Sequence, residues 1–365
     1  MKRFKKTKAA VLISALLLVF LLFLYSPAFA ANEETLCLQF IEKKLQSGGG
    51  VFTNYLPSRE ITEWAMGHSV LSESQGLMLS YYVHAKNEDM ARKTIAFVQD
   101  HLDTGSILSY RLDEDRRLYR VNAAVDDLRL IGALFEAADA FKQPEYRENA
   151  LSYANRLYKT NVRDQMLADF YDEQYKQAGK VFTLCYADLH AMKGLLAYDD
   201  RWLPVMENMQ NVILNGYLGE AFPMFHTSYN LEKQQYESDN IQMVESLLTA
   251  YHLSVIDSCP KQTLDYLKKS LQGDKLYSVY DLNGEPASTT ESTAIYALCA
   301  LIGTGENDAE LYRAAIEHML SFQVTDPASP VYGAFADAKT LQAFSFDNLQ
   351  AILALQARKT LSGNN

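Results

Sequence analysis

Six times along the chain an acidic residue opens an apolar stretch, at Glu73, Asp126/Asp127, Asp188, Asp239, Glu291 and Asp347, with intervals of about fifty to sixty residues. Other familiar chemistries are missing: there is no HExxH, no GxSxG, no phosphate-binding glycine loop and no calcium-loop pattern. The seven histidines are scattered, and His68, His190 and His252 lack metal-ligand spacing. Neither a metal nor a cofactor is therefore expected. What remains is carboxylate chemistry. Any single acid at a helix start has an ordinary use, because it accepts orphan backbone N–H groups and interacts favourably with the helix dipole. A catalytic reading needs a pair in special surroundings. Ser72-Glu73-Ser74-Gln75-Gly76 supplies them, since small and polar residues around the acid let a substrate approach.

The elements that would position these acids follow from the same repeat. Between the acid-led stretches lie six more with helical periodicity and a more charged face: Leu36 to Gln46, Asp89 to His101, Pro144 to Thr160, Trp202 to Asn215, Pro260 to Leu271 and Asp308 to Phe322. Six inner and six outer helices make an all-α (α/α)6 toroid, a six-hairpin barrel. The start of every inner helix then lies at one end of the barrel. Short strand-like segments rim a cleft there: Val51 to Leu56, Ile107 to Leu112, Met166 to Asp172, Ala221 to Tyr229, Leu276 to Leu282 and Val331 to Ala336. In a sixfold ring the fourth inner helix faces the first, which sets Asp239 across from Glu73. Two carboxylates flanking a bound chain is the arrangement that glycoside hydrolysis requires.

Composition supports one large domain. Of the 365 residues 48% are hydrophobic and 22% charged, and no Pro/Gly/Ser-rich linker interrupts the repeat. Residues 1–30 read differently. Lys2, Arg3, Lys5, Lys6 and Lys8 precede an apolar run from Ala9 to Tyr25 and then Ser26-Pro27-Ala28-Phe29-Ala30, the pattern of a secretory signal peptide cleaved after Ala30. An uncleaved anchor is the alternative, although a run of that length sits at the short limit for a bilayer. The expected location is secreted or associated with the cell envelope. Removing those five basic residues takes the formal charge from −11 to −16, which disfavours nucleic acid and anionic lipid as partners. Cys37, Cys185, Cys259 and Cys299 carry no CxxC spacing and read as small core hydrophobes more readily than as disulfides.

At these residues the chain resembles glycoside hydrolase family 8, the secreted bacterial endoglucanases, chitosanases and xylanases. That family opens its first inner helix with a Ser-Glu-Gly-Gln-(Gly/Ser)-Tyr-Gly-Met pattern, and Ser72-Glu73-Ser74-Gln75-Gly76-Leu77-Met78-Leu79 matches it over its first half. The resemblance places Glu73 on the general acid. Val125-Asp126-Asp127-Leu128 approximates the second-helix pattern and sets Asp127 on its second aspartate, the expected like charge that raises the pKa of Glu73. Ser238-Asp239-Asn240 occupies the place of the general base. The resemblance implies inverting hydrolysis of a β-1,4-type bond in a glucan or bacterial exopolysaccharide, by a monomer. Asp126, Gln75, Tyr186, Tyr55 and Trp64 are the expected substrate contacts, Tyr186 by its likeness in position to a family tyrosine.

The departures are Ser74 for glycine, Leu77 for tyrosine and Met78 for glycine, from which altered substrate contacts are expected. Only two tryptophans are present against 23 tyrosines, so tyrosine is the available sugar platform. Two other readings stand beside the hydrolase. One is a non-catalytic polysaccharide-binding or exopolysaccharide-assembly protein on the same toroid; the other is a lyase, which would need a basic cleft for a uronic-acid polymer. The absence of a separate binding module slightly favours a partner role beside an exopolysaccharide synthesis or export system.

Overall fold

The computed structural model of the chain describes residues 27–58, 65–273 and 275–362. Trp64 and the signal-like segment up to Ser26 lie outside them. Among the described residues are twelve α-helices, alternating outer and inner: α1 (Pro27–Phe40), α2 (Ser72–His84), α3 (Glu88–His101), α4 (Ala124–Phe141), α5 (Pro144–Asn161), α6 (Leu189–Leu195), α7 (Trp202–Asn215), α8 (Met243–Ser254), α9 (Lys261–Gly273), α10 (Thr293–Gly305), α11 (Ala309–Leu320) and α12 (Ser345–Ser362). The even-numbered helices form the inner ring. Each packs on the next, and α12 packs back on α2, which closes the toroid. The expected (α/α)6 architecture is the one observed.

The two sets of helices differ as their positions require. Inner helix α10 is apolar on every side, with the residues from Thr293 to Gly303 all buried, as a helix surrounded by protein must be. Outer helix α3 buries only Ala91, Thr94, Ile95, Phe97 and Val98, a single stripe, and leaves its charged face in water. Asn87, Asp188 and Asp308 are side-chain N-caps of α3, α6 and α11. A hydroxyl pair helps close the ring: Ser74 Oγ and Ser345 Oγ are 3.0 Å apart, joining the first turns of α2 and α12.

Short antiparallel pairs rim the end where the inner helices begin: β1 (Gln46–Ser47) with β2 (Gly50–Val51), β3 (Val70–Leu71) with β4 (Arg111–Leu112), β5 (Val162–Arg163) with β6 (Met166–Leu167), and β7 (Tyr171–Asp172) with β8 (Gln177–Ala178). A three-stranded sheet of β9 (Val181–Thr183), β10 (Ser228–Asn230) and β11 (Gln235–Glu237) follows, and then β12 (Ile241–Gln242) pairs with β13 (Val279–Tyr280). Cys37, Cys185, Cys259 and Cys299 are free thiols, and all but Cys259 are fully buried.

Candidate active site

Strand β3 delivers the chain straight into α2. Ser72 N–H donates to Tyr110 O at 3.0 Å and Ser72 Oγ–H donates to Asp126 Oδ2 at 2.8 Å, so the first turn of α2 is bound to the first turn of α4. Glu73 is the half-buried residue of that turn. Its carboxyl is pushed up from 4.5 to about 7, first by burial and second by the negative charge of Asp126, with Arg129 opposing. The helix N-terminus favours the charged form; burial beside a second carboxylate outweighs it.

Asp126 is buried and charge-paired. Arg129 Nη1 donates to Asp126 Oδ1 at 2.9 Å, and both side chains are less than a tenth exposed. Asp126 also accepts the backbone N–H of Glu73, and burial raises its pKa while Arg129 and Ser72 pull it down. Arg129 in turn senses Asp126, Glu73 and Asp188. Gly76 leaves room here: a Cβ on it would lie 3.1 Å from Arg129 Cγ and Cδ and would crowd the side chain that lies across α2 to reach the acids.

The like charge expected from Asp127 therefore comes from Asp126. One residue along a helix turns the side chain by about 100°, and Asp127 faces the outer layer, where Asn122 Nδ2 donates to its Oδ2 at 2.7 Å and itself bonds Asn161. Gln75 also lies away from the cleft. Its side chain has no exposed surface, and its amide, oriented to satisfy both groups, donates to Gly49 O at 2.9 Å and accepts from Val51 N–H at 2.8 Å. Sugar cannot reach it. Tyr55 packs its ring against Phe40, with centroids 5.8 Å apart. The departures at Ser74, Leu77 and Met78 are buried side chains in the helix-packing layer, so they exchange core contacts and not the substrate contacts expected from sequence.

Tyr186 does join the acids. It ends a short 3-10 turn, Leu184–Tyr186, ahead of α6, and its hydroxyl is raised by burial and by the charges of Asp126, Asp169 and Glu73. Two further carboxyls absent from the sequence reading extend the cluster: Asp169 acts on Tyr186 by its charge, and Glu245 acts on Asp169. Asp169 accepts Thr183 N–H at 2.6 Å and Thr183 Oγ1–H at 2.7 Å, and burial pushes it to about 7. Glu245, in the first turn of α8, is raised by burial and has one buried oxygen without a partner. Asp169 sits inside a rim segment and Glu245 three residues into an inner helix; those positions were their only sequence signal.

Asp239 lies in the turn between β11 and β12, four residues before α8, and is exposed. Its neighbours fix that turn: Ser238 Oγ accepts Thr227 N–H at 2.8 Å and lies 3.1 Å from His226 Nδ1, while Thr227 Oγ1–H donates to Asn240 O at 3.3 Å. The remaining acids of the repeat serve as struts. Asp188 caps its own helix by accepting Ala191 N–H at 3.0 Å, Glu291 pairs with Lys275 and accepts Tyr296 O–H, and Asp347 accepts Ala294 N–H at 2.8 Å across the gap to α10.

A closed (α/α)6 ring with carboxyls at its mouth is the toroid fold found among glycoside hydrolases. Comparison with solved structures agrees. An alpha-amylase from Clostridium perfringens, described as novel, is 33% identical, with a TM-score of 0.84 over 89% of this chain and 97% of that one. The endoglucanase Cel10 of Klebsiella pneumoniae, a family 8 glycosyl hydrolase, shares the fold at 12% identity, with a TM-score of 0.62 over 89% of this chain and 99% of that one. Among curated proteins, "Putative lipoprotein YdaJ" of Bacillus subtilis (strain 168) is 27% identical over 298 residues, 80% of each chain. No family model matches the sequence. The chain belongs to the same family as the C. perfringens alpha-amylase, and it shares its fold with family 8 glycosyl hydrolases.

Proposed function

We propose that the protein is an inverting glycoside hydrolase of the cell envelope or its surroundings, with Glu73 as general acid and Asp239 as general base. The observation that carries the reading is Glu73 itself, a cleft carboxyl held near 7 by burial and by Asp126. A general acid must carry its proton at working pH and be able to release it. Asp126 acts as the charge that helps keep the proton on Glu73, and Tyr186 lies near enough to sense both carboxyls. Asp239, exposed in the turn ahead of the fourth inner helix, would be the base, since a base that activates water needs access to it. An inverting pair leaves about 6.5–9.5 Å between its carboxyls for that water.

The polysaccharide is the finer part of the proposal. The helix-opening motif favours a β-1,4-linked glucan or exopolysaccharide. One observation favours a second reading, an α-linked glucan: the relative at 33% identity is named an alpha-amylase. The envelope location is supported by the lipoprotein description of YdaJ and by the basic-then-apolar N-terminus.

The test is reducing-end release by the wild-type protein and by Glu73→Gln and Asp239→Asn, on soluble starch, hydroxyethyl cellulose, xylan, chitosan and bacterial exopolysaccharide. Loss of a general acid or base lowers turnover by roughly 10²–10⁴-fold. Release from one polymer that both substitutions abolish supports the reading and names the linkage. Saturable binding without release would establish the assembly-protein alternative; release untouched by Glu73→Gln would end the assignment of the acid.

A further inference from the structure

Outside the acid cluster the surface holds a groove of about 1020 Å³ that none of Glu73, Asp126, Tyr186 or Asp239 lines. Outer helix α7 forms one wall. Asn208, Asn211 and Asn215 lie on it at i, i+3 and i+7, a single stripe about 10 Å long. The facing wall is built by Gln177 of the β7–β8 hairpin, by Lys180 in the link to β9, and by Tyr229 and Tyr236 of the three-stranded sheet. The tyrosine floor is rigid: Tyr236 O–H donates to Val212 O at 2.6 Å, His226 stacks on its ring at 5.0 Å, and Tyr229 meets it edge-on at 5.1 Å. Gly216 makes this possible, since a Cβ there would lie 2.9 Å from Tyr236 Cε1.

The chemistry of the lining selects a ligand. Carboxamides present donors and acceptors together, as a sugar hydroxyl does, and tyrosine offers an apolar face with a polar edge. The charges in the walls are mixed, with Arg163, Lys176 and Lys180 beside Asp164 and Glu232, and Lys180 pairs with Glu232 at 2.9 Å. A polyanion would meet carboxylates as well as cations, and an apolar partner would find amides. Asn211 and Asn215 are exposed, so their amides are open to a ligand.

The groove also connects to the acids through one sheet. Strand β9 runs from the groove into Thr183, which holds Asp169, and on to Tyr186; β11, which carries Tyr236, runs through Ser238 into Asp239. We infer that this groove is a second, non-catalytic binding site for a strand of an uncharged polysaccharide, holding the polymer while another stretch of it enters the cleft. The inference rests on the polysaccharide-active reading of the protein, and its test separates the two.

The test uses the full chain carrying Glu73→Gln, which keeps the polymer intact, with and without Asn211→Ala and Asn215→Ala together. Retardation is measured in native gels containing soluble starch, hydroxyethyl cellulose or polygalacturonate. The expected result is retardation of the parent by a neutral polymer and roughly tenfold weaker binding by the double variant, as loss of two hydrogen-bonding amides implies. In the wild-type background the double variant should lose kcat/KM on the polymer and keep it on a short oligosaccharide. Equal retardation of parent and variant, or no retardation by either neutral polymer, overturns the site. Binding to polygalacturonate alone overturns the uncharged ligand. If the parent holds a polymer that the wild-type protein never cleaves, the hydrolase reading fails and the groove stands.

Discussion

Replacing Asp126 by asparagine should move the alkaline limb of the pH–rate profile to lower pH. Glu73 must be protonated to donate, so activity falls as pH rises through its pKa, about 7 in the folded protein against an ordinary 4.5. Burial is the larger cause of that rise and survives the substitution; the charge of Asp126 is the second cause and does not. Asp126 accepts the backbone N–H of Glu73, so the two carboxyls are well within about 10 Å. Two unit charges at that distance interact by about 1.7 kcal/mol at an effective dielectric of about 20, a little over one pH unit. Arg129, relieved of its 2.9 Å ion pair, would press in the same direction. The limb should therefore fall from about 7 to about 6 or below. Leaving Arg129 short of a partner costs about 3 kcal/mol of stability, so near-UV circular dichroism must first show the variant folded. Asp127→Asn is the control: it has the same chemistry one residue away, and its limb should stay within a few tenths of the wild type. The assay is kcat/KM from pH 4 to 9 at constant ionic strength on whichever polymer is cleaved. A limb that stays in place or rises in Asp126→Asn refutes the claim that this carboxylate holds the proton on Glu73.

Glu73→Gln should stabilise the protein at alkaline pH. A carboxyl whose folded pKa is raised binds more protons in the native than in the unfolded state between 4.5 and about 7, so the wild type loses stability as pH rises through that window. The loss approaches about 3 kcal/mol above it; thermal unfolding should find the variant more stable than wild type at pH 8 and level with it near pH 4. Gly76→Ala puts a methyl 3.1 Å from the Arg129 side chain. It should cost about 1–3 kcal/mol in denaturant unfolding and raise the limb by weakening the reach of Arg129 toward Glu73; an unchanged limb would mean the guanidinium does not depend on that gap.

What the sequence makes legible follows from what repeats. Apolar periodicity with an acid at each opening carries the toroid, because burying an inner helix on all sides demands an unbroken apolar run. It also carries Glu73, whose small polar neighbours set it apart. What stays hidden turns on rotation and reach. Asp126 and Asp127 are indistinguishable as letters, yet about 100° of helix separates a side chain at the cleft from one bonded to Asn122. Gln75 looks like a sugar contact until the backbone of β2 is seen to need its amide. Asp169 depends on Thr183, fourteen residues away, and no local pattern announces that pairing.

The six acids also differ in how their surroundings use them. A carboxylate at a helix opening can accept free N–H groups, and Asp188 and Asp347 each accept a backbone donor within or across helices. Glu291 is held ionised in an ion pair with Lys275. Glu73 is placed otherwise. The cap position before its helix is Leu71, which offers no side-chain bond, and the backbone N–H of Glu73 goes to Asp126. Arg129 is drawn first to Asp126 and only then to Glu73. The toroid thus sets an acid at or near the start of each inner helix, and the packing of α2 against α4 leaves Glu73 crowded by a like charge and only partly compensated. That combination costs stability and keeps a proton available near neutral pH, which is why the alkaline stability of Glu73→Gln and the shifted limb of Asp126→Asn must be found together if the site is built as described.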